Sequence, residues 1–185
     1  MQDIEKTLKR NIRDYGVKYL CFDYLHSSMK ILSEVSSKAG VKGLREDNVL
    51  FMISIRFKDL CNQYGIFILS ATQLNGNYQE AKVYNQNLLR GAKAIADKVD
   101  MGLLMLEVSP EDLEALKPVL ENGQYDTPFI KMSVYKNRRG EYNNLLLWCK
   151  ANRGTCKIIP MFATDYQYKL IPIRELNIQV KSEEE

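Results

Sequence analysis

The segment Val17-Lys18-Tyr19-Leu20-Cys21-Phe22-Asp23-Tyr24-Leu25 is a nearly unbroken apolar run that meets a single carboxylate. A second run, Ile66-Phe67-Ile68-Leu69, ends in the polar cluster Ser70-Ala71-Thr72-Gln73-Leu74-Asn75. Between them Val49, Ile53, Phe57, Leu60 and Tyr64 recur three or four residues apart and Gly65 follows, which marks an amphipathic helix closed by glycine. Strand, helix and strand, with both strands almost wholly apolar, predict neighbouring parallel strands buried on both faces. Open α/β sheets gather ligands at the carboxyl ends of such strands, so Asp23 and Gln73 become candidate site residues on one edge.

The rest of the chain extends this α/β plan. Ile4, Leu8 and Ile12 stand at helical spacing over residues 2–14, and Gly16 releases the chain into the first strand. The Ser-, Lys- and Gly-rich stretch 33–43 and the aperiodic polar stretch 76–87 read as loops, and a short helix is expected over 92–98. A strand over 101–108 leads to Ser109-Pro110-Glu111-Asp112, which opens a capped helix that Gly123 closes. Residues 129–136, 144–150, 155–162 and 168–173 read as four strands with turns at Arg139-Gly140 and Arg153-Gly154, predicting a C-terminal antiparallel meander. A single domain is expected over residues 1–180, and the acidic tail 181–185 is expected to fray.

Composition narrows the setting. The net charge of +3 is small, so any nucleic-acid contact must come from local clusters. Four cysteines with no Cys-x-x-Cys pair argue against zinc and against a secreted disulfide framework, and read as buried cytosolic thiols. No signal peptide is evident, and no stretch reaches the roughly 18 apolar residues of a membrane helix, so the expected location is the cytoplasm. His26 is the only histidine, which excludes a histidine-pair metal site and leaves a surface or hydrogen-bonded role. Trp148, alternating with apolar neighbours, is expected in the core.

Several side chains suit phosphate chemistry. The Asp23 carboxylate can hold the water shell of a magnesium ion on a triphosphate, although an aspartate after a strand also serves as a cap or turn residue. The Gln73 amide can accept from a water and donate to a phosphate oxygen; the alternative is a polar turn residue. Arg90 and Lys93, with the backbone near Gly91, can bind backbone phosphates of a nucleic acid or form a solvated face. Lys136 and Arg138 alternate on a strand and point to one side, as an anion site or a basic hairpin tip. Tyr78 and Tyr84 can stack on bases or anchor their loop.

The order of these segments resembles a known family. Asp23-Tyr24-Leu25, the Ser70–Asn75 cluster, Leu89-Arg90-Gly91-Ala92-Lys93 with Asp100, and Lys136-Asn137-Arg138-Arg139-Gly140 follow one another as in the back half of the RecA-like motor domain of DnaB-type hexameric replicative helicases. The resemblance implies a partial RecA-like parallel sheet, with ATP and Mg2+ as cofactors of the full-length protein. It implies that Asp23 and Gln73 serve nucleotide binding and hydrolysis, with Asp23 reaching magnesium through water. Arg90, Gly91 and Lys93 would grip single-stranded DNA, and Lys136 and Arg138 would reach the phosphate bound by a neighbouring subunit. Hexameric self-association, a primase and a helicase loader are the implied partners. Gly76 stands where many members carry arginine. A Gly-Lys-Ser or Gly-Lys-Thr phosphate loop does not occur in these residues; in the family it and the glutamate base precede the first of these strands, which would place both before Met1. Neither Glu34 nor Glu46 is placed to replace that base. The competing reading is a RecA-like interaction module without ATP hydrolysis.

Overall fold

The computed structural model describes residues 2–26, 31–34, 37, 45–76, 78, 84–89, 94–140 and 142–172. It is a mixed α/β protein whose chain divides into two compact units, Met1–Gly102 and Leu103–Glu185.

In the first unit α1 (Gln2–Tyr15) leads to β1 (Tyr19–Phe22), α2 (Glu46–Tyr64) leads to β2 (Phe67–Ser70), and α3 (Ile95–Lys98) follows. Gly16 and Gly65, with φ of +63° and +60°, take the left-handed conformation that lets each helix stop and a strand begin within a few residues. The periodic residues of α2 meet Leu8 of α1, Leu25, Ile66 and Ile95 in one core, on which Leu20, Phe22 and Ile68 of the strands pack. Phe22 sets its ring edge-on to Phe57, centroids 5.0 Å apart. The guanidinium of Arg56 on α2 holds both oxygens of Glu5 on α1, with Nε to Oε2 at 2.9 Å.

β1 and β2 pair in parallel, Tyr19 opposite Phe67 and Phe22 opposite Ser70. The expectation that both faces of these strands are buried is corrected. Tyr19, Phe67 and Leu69 are 80, 58 and 57 % exposed, and Cys21 is exposed beside them. Strand side chains alternate, and the helical core described here lies against only one of the two faces. Residues 31–34, expected partly as loop, are helical, with Ile31 and Leu32 packed on the core. Most of the 33–43 loop, the start of the 92–98 helix and the 181–185 tail lie outside the described residues.

α4 (Pro110–Leu120) lies in the second unit with a five-stranded sheet ordered β3 (Met101–Glu107), whose first two residues fall at the end of the first unit, β4 (Ile130–Asn137), β5 (Leu145–Asn152), β6 (Lys157–Thr164) and β7 (Leu170–Ile171). β4 to β7 form the antiparallel meander, with a bulge between Trp148 and Cys149. Trp148 is fully buried and donates from Nε1 to Thr164 Oγ1 at 2.9 Å, as an indole in a core requires.

Helix α4 begins with a reciprocal cap: Ser109 Oγ accepts from Asp112 N, and Asp112 Oδ2 accepts from Ser109 N at 2.8 Å. Asp112 is nonetheless buried, 1 % exposed, because Lys131 of β4 donates to Oδ2 at 2.6 Å and the Tyr168 hydroxyl to Oδ1 at 2.9 Å. Burial alone would push the carboxyl up. The Lys131 ammonium, the Ser109 amide and the Tyr168 hydroxyl outweigh it and hold Asp112 below the ordinary carboxylate range.

The four thiols are not uniformly buried, which corrects the reading from sequence. Cys149 is buried and burial pushes it up to about 11, Cys61 is half-buried, and Cys21 and Cys156 are exposed. Cys21 falls on the open side of an apolar strand and Cys156 in a turn, places that local apolarity does not reveal. Among the described residues no helix is long and apolar enough to cross a membrane.

Two outcomes follow from these ion pairs. Lys131→Ala strands a buried carboxylate and is expected to cost about 3–5 kcal/mol, whereas Tyr168→Phe removes one hydrogen bond and costs about 1–2 kcal/mol, both read from urea unfolding midpoints. Glu5, held down to about 2 chiefly by its hydrogen bonds from Arg56 and then Lys9, contributes stability that is present above the ordinary carboxylate range and lost as pH falls through about 2. The partly exposed pair is worth about 1 kcal/mol. The stability gap between the native chain and Glu5→Gln should therefore be flat above about pH 5 and close toward pH 2; a gap independent of pH would refute the assignment.

Candidate functional site

Because β1 and β2 run in the same direction with Phe22 opposite Ser70, the chain leaves both strands at one edge. Asp23 is the first residue beyond β1, and Gln73 the third beyond β2; both are exposed. The two exits are tied together past the strands themselves. Ser70 Oγ donates to the Phe22 carbonyl at 2.8 Å, and Leu25 N donates to the Ala71 carbonyl at 2.8 Å. Leu25 then returns to the core at 8 % exposure, so Asp23 sits on a short arch pinned at both feet. The Asp23–Tyr24 peptide bond is cis. His26 stands exposed, its Nδ1 3.1 Å from the Tyr24 carbonyl.

On the Gln73 side, Leu74 bridges antiparallel to Leu89, Asn75 N donates to the Leu88 carbonyl, and Asn75 Nδ2 donates to the Asn87 carbonyl, each of these last two at 2.8 Å. Asn85 caps a short 3-10 turn, Gln86–Leu88, by accepting from Asn87 N. With Leu88 and Leu89 buried, the polar excursion after Gln73 is closed at its base. Tyr78 and Tyr84 are half-buried within it. Arg90, Gly91 and Lys93, the candidate DNA contacts, follow directly on Leu89 but lie outside the described residues.

Lys136 and Arg138 belong to the second unit. Lys136 is half-buried near the end of β4, and Arg138 is exposed in the bend that follows Asn137. Thus the structure brings Asp23 and Gln73 to one sheet edge and places Lys136 and Arg138 together at a hairpin tip.

The donor set bears on which groups this edge suits. Among the described residues no three His, Cys, Asp or Glu side chains cluster as a metal site. A lone exposed carboxylate suits a hydrated magnesium ion that takes its remaining ligands from phosphate and water, and does not make a cation cage of its own. The amide cradle that a triphosphate needs is not among these residues. Glu34 accepts from Gln2 N at 3.3 Å and Glu46 opens α2, which places neither at a strand end.

Three features escape the sequence reading. Ser70 was one polar residue in a cluster, and only strand register makes it the clasp between the exits. Lys131 and Asp112 are joined only when α4 packs on β4; a lysine between apolar residues in a strand was the available signal. Asn137, between the two cations, turns out to hold the turn that carries them.

No known protein-family profile matches the chain. Over 183 residues, 97 % of its length, the chain is 41 % identical to an uncharacterized protein, YorI, derived from the SPbeta prophage of Bacillus subtilis strain 168. It spans 36 % of that protein's length.

The clasp and the carboxylate should separate in a stability measurement. Ser70→Ala removes the bond to Phe22 and is expected to cost about 1 kcal/mol, whereas Asp23→Ala at an exposed position should stay within about 0.5 kcal/mol of the native chain. A large loss for Asp23→Ala in denaturant titrations would mark it as a structural residue.

Proposed function

We propose that this chain is the later part of a RecA-like motor domain of the DnaB type, working in the cytoplasm within a longer, ring-forming, ATP-driven DNA helicase. The observation that carries the reading is the parallel register of β1 and β2, which delivers Asp23 and Gln73 to the same sheet edge. The order of the later motifs supports it.

Bound ATP would supply the phosphoryl group and the free energy of its transfer, and its magnesium would offset charge on the phosphate oxygens. The chain's own residues would position and neutralise. Asp23 would hold a magnesium-bound water through its carboxylate, keeping its own negative charge one water away from the phosphates. Gln73, with one acceptor and two donor hydrogens, would orient the attacking water while contacting a terminal phosphate oxygen, so its contact changes when that phosphate leaves. Lys136 and Arg138 of one subunit would meet the phosphate held by its neighbour, stabilising charge that grows in the transition state. Arg90, Gly91 and Lys93 would hold the single strand by its backbone without reading sequence. A primase and a helicase loader would be further partners of such a ring.

The competing reading is a RecA-like interaction module without ATP hydrolysis. Phosphate release decides between the two. The 185-residue chain alone should release phosphate from magnesium-ATP no faster than a denatured control. The longer protein assembled as rings should turn over, and lose about a thousandfold or more of that rate on Lys136→Ala with Arg138→Ala while keeping its DNA affinity. Arg90→Ala with Lys93→Ala should instead weaken DNA binding equally for all sequences and flatten its salt dependence. Rings without turnover would support the module. Mixed rings of Asp23→Ala and Arg138→Ala subunits should regain part of the activity if the two residues serve one interface from opposite sides.

A further inference from the structure

The turn that carries Lys136 and Arg138 is closed by the side chain that stands between them. Asn137 ends β4, and its Oδ1 accepts from Gly140 N at 3.0 Å while its Nδ2 donates to the Tyr142 carbonyl at 3.1 Å. Its own carbonyl accepts from Asn143 Nδ2 at 2.9 Å. One carboxamide therefore binds the outgoing and the returning limb of the hairpin. The returning limb is itself fixed: Asn144 N donates to the Val134 carbonyl at 2.8 Å, and Tyr142 packs on Val134, Leu145 and Ala163.

Gly140 makes the seat for this carboxamide. A Cβ at that position would stand 2.0 Å from Asn137 Nδ2 and 2.6 Å from its Cγ. A side chain there would overlap the Asn137 carboxamide where it now sits, so the carboxamide would have to shift from this seat. Two separate features, a bridging amide and the absence of a Cβ facing it, serve the same contact.

We propose that Asn137 and Gly140 are positioning residues that fix how Lys136 and Arg138 project from the hairpin, so that the two cations meet a phosphate anion already oriented. The inference rests on the reading above that Lys136 and Arg138 act on nucleotide phosphate. Its physical basis is preorganisation. Long cationic side chains lose rotamer freedom when they clamp an anion, and a rigid base for both removes the further cost of ordering the backbone beneath them. Lys136 is the strand residue immediately before the bridging residue and Arg138 the first residue after it, so movement of the Asn137 backbone would disturb both at once.

The test compares Asn137→Ala, Gly140→Ala and the double variant in rings of the longer protein, with Arg138→Ala and Lys136→Ala as references. Each single variant should lower kcat for ATP about tenfold to a hundredfold with KM little changed, since the lost alignment matters most in the transition state. The double variant should be no slower than Gly140→Ala, because both changes empty the same seat. Folding is checked on the 185-residue chain, where amide shifts in Gly140→Ala should be confined to the hairpin around Asn137 and urea unfolding should stay a single cooperative transition with a modestly lowered midpoint. Single variants that turn over like native rings, where Arg138→Ala is inactive, overturn the positioning role and leave the helicase reading intact. A double variant slowed by the product of the two single effects overturns the shared seat. Full activity of Arg138→Ala and Lys136→Ala removes the phosphate role of the two cations, and this inference with it, while the turnover itself leaves the helicase reading standing.

Discussion

Parallel pairing of β1 with β2 is the constraint from which the first unit follows. Parallel neighbours cannot be joined by a tight turn, so the chain must travel back along the sheet between them, and α2 is the element that makes this return. Its apolar residues supply most of the core beneath the strands, and Gly65 lets β2 start at once in register with β1. Register in turn aligns Phe22 with Ser70, and the Ser70 hydroxyl and the Ala71 carbonyl hold the two exits together. The position of Asp23 relative to the strand leading to Gln73 is thus a consequence of backbone pairing and helix packing.

The second unit depends on a different device. Its antiparallel strands are joined by short turns, and what attaches α4 to the sheet at its first turn is a buried charge pair, Asp112 with Lys131, completed by Ser109 and Tyr168. A buried pair contributes little net stability over an apolar equivalent, but an incomplete one is costly, so losing either partner would penalise this attachment of α4 to β4. The same sheet ends at the Asn137 turn, where an uncharged carboxamide performs the closing role beside two cations. In both places one polar group bonded to more than one segment ties together parts of the chain that are apart in sequence.

Elements with a strong periodic signal were legible in the sequence. The helices around Leu8 and Leu60, the capped helix opening at Ser109, and the meander from Ile130 onward come from spacing, caps and turn residues that act over a few neighbouring positions. Of the candidate site, the strand-end carboxylate and amide were legible for the same reason, since a run of apolar residues that stops on a polar one marks where a strand leaves the sheet. The burial of β1 and β2 was not legible. Tyr19, Phe67 and Leu69 are as apolar as their inward neighbours and yet stand exposed, because composition records what a face would tolerate and not what lies against it. The cysteines differ in the same way, Cys149 within the meander core and Cys21 on the open side of β1.

By itself the sequence determined the local elements, their order and the residue types at each strand end, because propensity, periodicity and capping are properties of neighbours along the chain. Only the tertiary structure decided which groups meet: Ser70 with Phe22, Lys131 with Asp112 across 19 positions, Tyr168 with the same carboxylate across 56, and the Asn137 carboxamide with the space that Gly140 leaves. Such contacts depend on the register of strands and the seat of a helix on a sheet, and these are set by packing across the fold, where a single missing Cβ or one buried ammonium decides the arrangement.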